Sequence, residues 1–313
     1  MAGWADLLVI CGPTATGKTA AALALAKRLD GEIVSADSMQ IYQGLPIGTA
    51  QPSEAETEGI PYHLSGFLPP EERFSVADYV RLASRTIEEI RRRNHVPIVA
   101  GGTGLYIESL VNGIDFTEVK SDPALRARLQ QELQRQGAET LLKGLAQVDP
   151  AYAAKLCAAD HKRIIRALEW HAQTGETMSE RLVRSRPAQK PYHPLMIGLA
   201  FPERAQLYAR INERVDAMIG QGLLTEARMV YEHQDTYATA AQAIGYKEFF
   251  PYWENTQTLA ACTAALKQAT RRYAKRQLTW FRHMEGIVWL TADDPTLVQK
   301  AAALWRDGCR RKN

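Results

Sequence analysis

Short apolar runs set between longer helix-forming stretches give this chain its pattern. Asp6 to Ile10 is a compact apolar run suited to a strand buried on both faces, and Ala20 to Leu29, rich in Ala and Leu, reads as the helix after it. Gly31 to Ser38 predicts a second short strand ending in a carboxylate, Asp37. Ser75 to Asn94 predicts a helix with Ser75 as its N-cap and Arg91, Arg92 and Arg93 near its C-terminal dipole. Val96 to Tyr106 predicts a third strand that breaks at Gly101-Gly102, with a helix beginning near Thr103. Strands and helices in alternation imply a parallel sheet.

The character changes between about Ser121 and Pro191, where strand-like runs disappear. A cap at Ser121 or Asp122, Pro123 in the first turn and a stop at Gly137 define one helix. Ile164, Ile165, Leu168 and Trp170 recur at helical spacing in another. Pro194 to Phe201 then predicts a strand rejoining the sheet, followed by helices over Arg204 to Tyr231 and Thr256 to Arg282 and a last strand at Gly286 to Leu290. The expected fold class is α/β: a P-loop NTPase-like parallel sheet flanked by helices, with an all-helical insertion. The expected division is a core of residues 1–120 and 191–313 and an insertion of residues 121–190.

With 313 residues and 46% hydrophobic content, the chain can bury a large core. A formal net charge of +3 argues neither for nor against a nucleic-acid partner, so the distribution of charge must decide. Cys11, Cys157, Cys262 and Cys309 are far apart, which offers neither a zinc signature nor a disulfide framework and fits a reducing cytosol. No signal sequence opens the chain, and no apolar run approaches the roughly 20 residues that cross a bilayer. The expectation is a cytoplasmic monomer without a membrane partner.

Candidate chemistry enters at residues 12–19. Gly12, Pro13, Thr14, Ala15, Thr16, Gly17, Lys18 and Thr19 match G-x-x-x-x-G-K-[ST] in full, between a predicted strand and a predicted helix. The glycines let backbone N–H groups point inward, Lys18 adds a charge, and the Thr19 hydroxyl can sit on Mg²⁺. Such a loop recognises a polyphosphate, of which ATP is one example among others. Residues just after the strands share one crevice in a sheet of this kind, which brings Asp37 and Thr103 to the loop. Asp37 reads as a general base or metal-associated group, or as an Asx turn. Thr103 reads as a phosphate ligand through its hydroxyl and N–H, or as a helix cap. The third strand ends in Ala100-Gly101-Gly102-Thr103 without the aspartate that a hydrolytic motor uses, which leaves transfer to an acceptor.

Basic residues cluster in two places. Lys162, Arg163 and Arg166 share one helical stretch, and Arg271, Arg272, Lys275, Arg276 and Arg282 are interleaved with Tyr273, Trp280 and Phe281. Mixtures of this kind suit RNA, and a solvated basic helix face is the ordinary alternative. Arg210 and Arg214 stand four apart, spaced either to clamp a pyrophosphate or to pair with Glu213 or Asp216. From the residues alone, an ATP-dependent P-loop small-molecule kinase and an RNA-directed transferase both stand.

The ordered series GPTATGKT, SADSMQIYQGLPIGTAQP, GGTGLYIESL, HKRIIRALE, TGETMSE, LYARINERVDAM, AIGYKE and RRYAKRQLTWFR resembles the tRNA dimethylallyltransferases, also called tRNA isopentenyltransferases, from Leu7 to about Leu290. The resemblance implies transfer of a dimethylallyl group from dimethylallyl diphosphate to the exocyclic amine of the adenine 3′ to the anticodon. It implies Asp37 as the base and a diphosphate clamp of Lys18, Thr103 and either Arg210 or Arg214, with Thr19 and Mg²⁺ at the departing charge. It further implies tRNA contacts, at the anticodon stem-loop, from Asp37, Ser38, Met39, Gln40, Thr103, Arg126, Lys162, Arg163, Ile164, Ile165, Arg166, Gln242, Ala243, Ile244, Gly245, Tyr246 and Lys247. Thr16 stands where the family commonly has Ser, and the lack of a C-terminal zinc finger resembles the bacterial type.

Overall fold

The computed structural model describes residues 5–116, 122–237 and 239–310, so Ser121 of the expected helix cap lies outside the described residues. Six strands form one sheet: β1 (Leu7–Cys11), β2 (Gly31–Ser35), β3 (Tyr62–His63), β4 (Val96–Gly101), β5 (Pro194–Ala200) and β6 (Ile287–Thr291). Their order is β3-β2-β4-β1-β5-β6 and every pairing is parallel, with Val9 opposite Val99 on one side and Met196 on the other. Alternate residues of each strand feed opposite cores. Leu7, Val9 and Cys11 join Val34 and Val99 on one face, while Leu8 and Ile10 join Ile33 and Ile98 on the other. Burial on both faces is why β1 reads as an unbroken apolar run.

Helix α1 (Lys18–Leu29) covers the second face through Ala22, Leu25 and Ala26. After β2 come two single turns, α2 (Pro46–Thr49) and α3 (Glu54–Thr57). The first face is covered by α4 (Val76–Arg92) and α5 (Gly104–Asn112), with Tyr79 stacked on Tyr106 at 4.1 Å. The N-cap expected at Ser75 is present, and the structure extends it to a capping box: its hydroxyl accepts the Asp78 N–H, and the Asp78 carboxylate accepts the Ser75 N–H.

The chain divides into two compact units, residues 1–111 with 190–313 and residues 112–189. Among the described residues the second unit is helical throughout: α6 (Pro123–Gln136), α7 (Ala138–Val148), α8 (Pro150–Ala153), α9 (His161–Thr174) and α10 (Met178–Arg184). Asp122 caps α6, its Oδ1 accepting the Ala124 and Leu125 N–H groups at 2.9 and 3.1 Å. Leu129, Leu141, Leu145, Ile164, Ile165 and Trp170 make this unit's own core.

Back in the first unit, α11 (Arg204–Gly220), α12 (Leu223–Glu232), α13 (Phe250–Trp253) and α14 (Leu259–His283) build a third core with Ile41, Tyr42 and Leu45 from the segment after β2. The single helix expected over Arg204 to Tyr231 is broken at Gln221-Gly222, where Gly222 takes a left-handed φ and starts α12. Several elements escaped the sequence reading, the single-turn helices α2, α3 and α13 among them. β3 has only two residues, too few to show a period, and α15 (Leu297–Arg310) lies beyond the last predicted strand, packing Leu297, Ala301 and Trp305 onto the α1 side.

Candidate active site

The loops leaving the carboxyl ends of β1, β2 and β4 open onto a cavity of about 430 Å³ in the first unit, whose other wall is made by α11, α14 and residues 239–247. Residues 12–19 link β1 to α1 as expected. Gly12 has φ +136°, and a Cβ there would lie 2.4 Å from the Leu199 carbonyl oxygen, so the loop passes β5 too closely for any side chain. Ala15 and Gly17 also have positive φ, which turns the loop into its curl. The buried Thr16 hydroxyl donates to the Pro13 carbonyl at 2.9 Å, and Lys18 Nζ donates to the same oxygen at 2.7 Å. Thr14, Lys18 and Thr19 face the cavity, whereas Gly12, Pro13 and Thr16 are buried beneath it. A second, wider opening of about 980 Å³ reaches Lys18 and Thr19 past Ala15 and Gly17 from the α3 side.

Asp37 sits two residues beyond the end of β2 and lines the cavity. The Asx turn is present: Oδ1 accepts the N–H groups of Met39 at 2.9 Å and Gln40 at 3.4 Å. Among the described residues Oδ2 takes no hydrogen bond, so one oxygen fixes the carboxylate and the other is left for chemistry. Gln40 is buried at 7% exposure and ties this segment down, accepting the Ser35 hydroxyl and donating to the Thr49 and Ala50 carbonyls. Ser38 and Met39 complete the cavity edge.

Thr103 differs from its expected place. Its N–H donates to the Ala36 carbonyl at 3.0 Å and its hydroxyl accepts the Ser38 N–H at 3.0 Å. The N–H is therefore spent on backbone, and Thr103 is not among the cavity's lining residues; it props the Asp37 segment from behind. Its own carbonyl accepts from Tyr106 and Ile107 at the start of α5, the capping position anticipated.

Arg210 and Arg214 part company. The cavity face of α11 runs through Ile211, Arg214, Val215 and Met218, while Arg210 is exposed beyond its rim and approaches Glu213 at 3.7 Å. The clamp of two guanidinium groups is thus reduced to Arg214. Burial, and then the charge of Arg214, pulls the Lys18 ammonium down to about 8, with Asp37 opposing the shift. Burial also lowers Arg214, which Asp37 partly offsets.

Of the AIGYKE stretch, Gln242, Ala243, Ile244, Gly245 and Lys247 line the cavity. Tyr246 does not: it is fully buried, its hydroxyl donating to Glu226 at 2.8 Å, so its side chain is structural. Glu226 in turn accepts the Ile47 and Gly48 N–H groups, which fastens α2 beside the cavity. In the second unit, Lys162 and Arg163 of α9 are exposed and Arg166 is half-buried, 3.9 Å from Glu169. Arg126 donates to the same buried Glu169 at 2.6 Å. Ile164 and Ile165 are core residues, which removes their side chains from any contact surface.

The α14 stretch corrects the sequence reading most. Phe281 is fully buried in the sheet core, while Thr270, Tyr273, Arg276 and Gln277 line the cavity. Tyr273 and Arg276 belong to the mixture expected to suit RNA, whereas Thr270, Gln277 and Tyr62 of β3 were missed as site residues. The signal was available in the i, i+3, i+7 spacing of Thr270, Tyr273 and Gln277, a polar stripe on one helix face. Burial raises both phenols, Tyr62 to about 12, and the nearby Asp37 charge pushes the same way.

A phosphate loop, a half-fixed carboxylate and a deep mixed wall define a group transferase acting on a phosphorylated donor. Comparison with known proteins narrows the class. The profile of the IPP transferase family matches residues 40–284, and that of the isopentenyl transferases matches residues 5–63. The tRNA dimethylallyltransferases of Anoxybacillus flavithermus and Bacillus subtilis are 45% and 44% identical over 294 and 289 residues, spanning 94% and 92% of this chain and 93% and 91% of their own. The crystal structure of the full-length tRNA isopentenylpyrophosphate transferase from Bacillus halodurans superposes with a TM-score of 0.74 at 38% identity, covering 98% of this chain and 97% of that one. A eukaryotic dimethylallyltransferase acting on tRNA superposes with a TM-score of 0.82 at 29% identity, over 98% of this chain and 80% of its own. The chain belongs to the IPP transferase family, that of the tRNA dimethylallyltransferases.

Proposed function

We propose that this protein transfers the dimethylallyl group of dimethylallyl diphosphate to the exocyclic amine (N6) of the adenosine 3′-adjacent to the anticodon in tRNA, releasing pyrophosphate. The observation that carries the reading is one cavity holding Lys18 and Arg214 beside the phosphate loop and Asp37, one carboxylate oxygen of which takes no hydrogen bond among the described residues. Family membership sets the kinase reading aside.

In the reaction the bond between C1 of the allylic group and the diphosphate oxygen breaks, and a bond from C1 to the adenine nitrogen forms. The loop amides, Lys18 and Arg214 hold the diphosphate and stabilise the charge that grows on it as it leaves. Asp37 accepts the proton released by the amine, its orientation fixed by the Asx turn. The apolar side chains of Ile211, Val215, Met218 and Leu266 give the allylic group a dry wall.

Mg²⁺ fits the donor set. The Thr19 hydroxyl lines the cavity beside Asp37, and among the described residues no cluster of three His, Cys, Asp or Glu side chains gathers. A cation that binds through one protein oxygen, substrate phosphates and water matches such a site. Thr19 would hold the ion, which when bound would supply charge neutralisation at the diphosphate.

Arg126, Lys162, Arg163 and Arg166 in the second unit, and Ser38, Met39, Gln40, Gln242, Ala243, Ile244, Gly245 and Lys247 at the cavity, are the proposed tRNA contacts, the target base being turned out of its stack. Among the described residues no helix is long and apolar enough to cross a membrane. The test is incubation with Mg²⁺, unmodified tRNA and either dimethylallyl diphosphate or ATP, followed by mass spectrometry of the digested tRNA. Adenosine heavier by a five-carbon unit with the isoprenoid alone supports the reading. ATP consumption without that gain overturns it.

A further inference from the structure

Gln277 is buried at 5% exposure in the C-terminal third of α14, with both ends of its amide engaged. Oε1 accepts the Thr14 N–H of the phosphate loop at 2.8 Å, and Nε2 donates to the Gly102 carbonyl at 2.8 Å. The two partners fix which way the amide points, since an N–H needs the oxygen and a carbonyl needs the nitrogen. From Gly102 the connection continues through Thr103, whose hydroxyl accepts the Ser38 N–H, to Asp37, whose Oδ1 accepts the Met39 N–H. Tyr273, one turn earlier on the same face, lines the same cavity.

We propose that Gln277 is a positioning residue that holds the phosphate loop in register with the Gly101-Gly102-Thr103 turn and, through that turn, with Asp37. The inference rests on the transferase reading above. The bond that breaks lies on the loop side of the cavity and the proton leaves toward Asp37, so a slip between the two supports costs rate at saturation, not binding. Misplacement of about 1 Å is enough to lower turnover by a factor of about 10². A purely structural role, satisfying a buried N–H and a buried carbonyl, would lower stability and leave turnover alone.

Two variants reach the bridge from opposite ends. Gln277→Met keeps the length and removes both hydrogen bonds. Gly102→Ala keeps Gln277 but places a Cβ 2.2 Å from its Nε2, at the far end of a flexible side chain that must swing away. With saturating tRNA and dimethylallyl diphosphate, each should turn over about 30-fold more slowly, while donor KM and tRNA affinity move by less than about threefold. The double variant should be no slower than Gln277→Met alone, because both changes break one connection. Amide exchange at Thr14 should quicken in Gln277→Met, a readout independent of activity. Faster exchange with wild-type turnover overturns the proposal, as do two losses that multiply in the double variant. If Gln277→Met does not fold, Gly102→Ala decides alone by the same kcat and KM split. Failure of the wild-type protein to modify tRNA overturns the transferase reading instead, and the Thr14 exchange result then still reports whether the bridge exists.

Discussion

Helices α9 and α14 carry similar sequence signals and meet different fates. Both hold a run of Lys and Arg among bulky residues, yet α9 leaves Lys162 and Arg163 exposed over a core of Ile164, Ile165 and Trp170. Helix α14 turns Tyr273 and Gln277 onto the phosphate-loop cavity and buries Phe281 in the sheet core, with Arg276 at the cavity wall. Charge composition describes a helix surface, and the partners of each face decide whether that surface binds or takes part in the chemistry. On the present account α9 acts through phosphate contacts that salt screens, and α14 through geometry that salt leaves untouched.

The comparison breaks most readily at the cavity. Asp37→Ala should lower transfer by a factor of about 10² or more with tRNA affinity unchanged, as seen by single-turnover rates beside filter binding. Next in size, Arg214→Ala should raise donor KM about 10- to 100-fold, the worth of a charge-assisted hydrogen bond, whereas Arg210→Ala should stay within about twofold of wild type. Equal effects of the two would undo the assignment of Arg214. On the α9 side, Lys162→Ala with Arg166→Ala should weaken tRNA binding about tenfold near physiological salt and reduce the salt slope by about 1 to 2. An unchanged slope would remove α9 from the interface.

The smallest effect concerns pH. Lys18, at about 8 in the free protein, is charged below that value and neutral above it. A bound diphosphate raises it, so binding above pH 8 takes up a proton and affinity falls as pH rises from there. Calorimetry of pyrophosphate binding at pH 8.5 in two buffers of different ionisation enthalpy should show the uptake, and Lys18→Met should abolish it.

What the sequence made legible was local. The phosphate loop is eight consecutive residues whose types state their role, and the Asx turn at Asp37 and the N-cap at Ser75 close within three or four residues. The helical second unit showed itself through lost strand signals and Asp122-Pro123. What stayed hidden was assembled over distance. Thr14 and Gln277 are 263 positions apart, and no window spans them. Tyr246, Ile164 and Ile165 were misplaced for a related reason: a conspicuous stretch contains the buried side chains that hold it as well as those that face a ligand. Of the two readings of Thr103 the helix cap stands, and its N–H is lost to a phosphate because it had an unseen competitor, the Ala36 carbonyl.

The central claim is that the cavity performs the transfer while α9 supplies tRNA affinity. Its most direct test is the single-turnover rate at saturating tRNA, with the tRNA dissociation constant measured in parallel, for wild type, Asp37→Ala and the Lys162→Ala, Arg166→Ala pair. The account predicts that Asp37→Ala loses rate and keeps affinity, and that the pair loses affinity and keeps its rate once saturated. Loss of saturated rate in the pair, or near-normal transfer by Asp37→Ala, would contradict it.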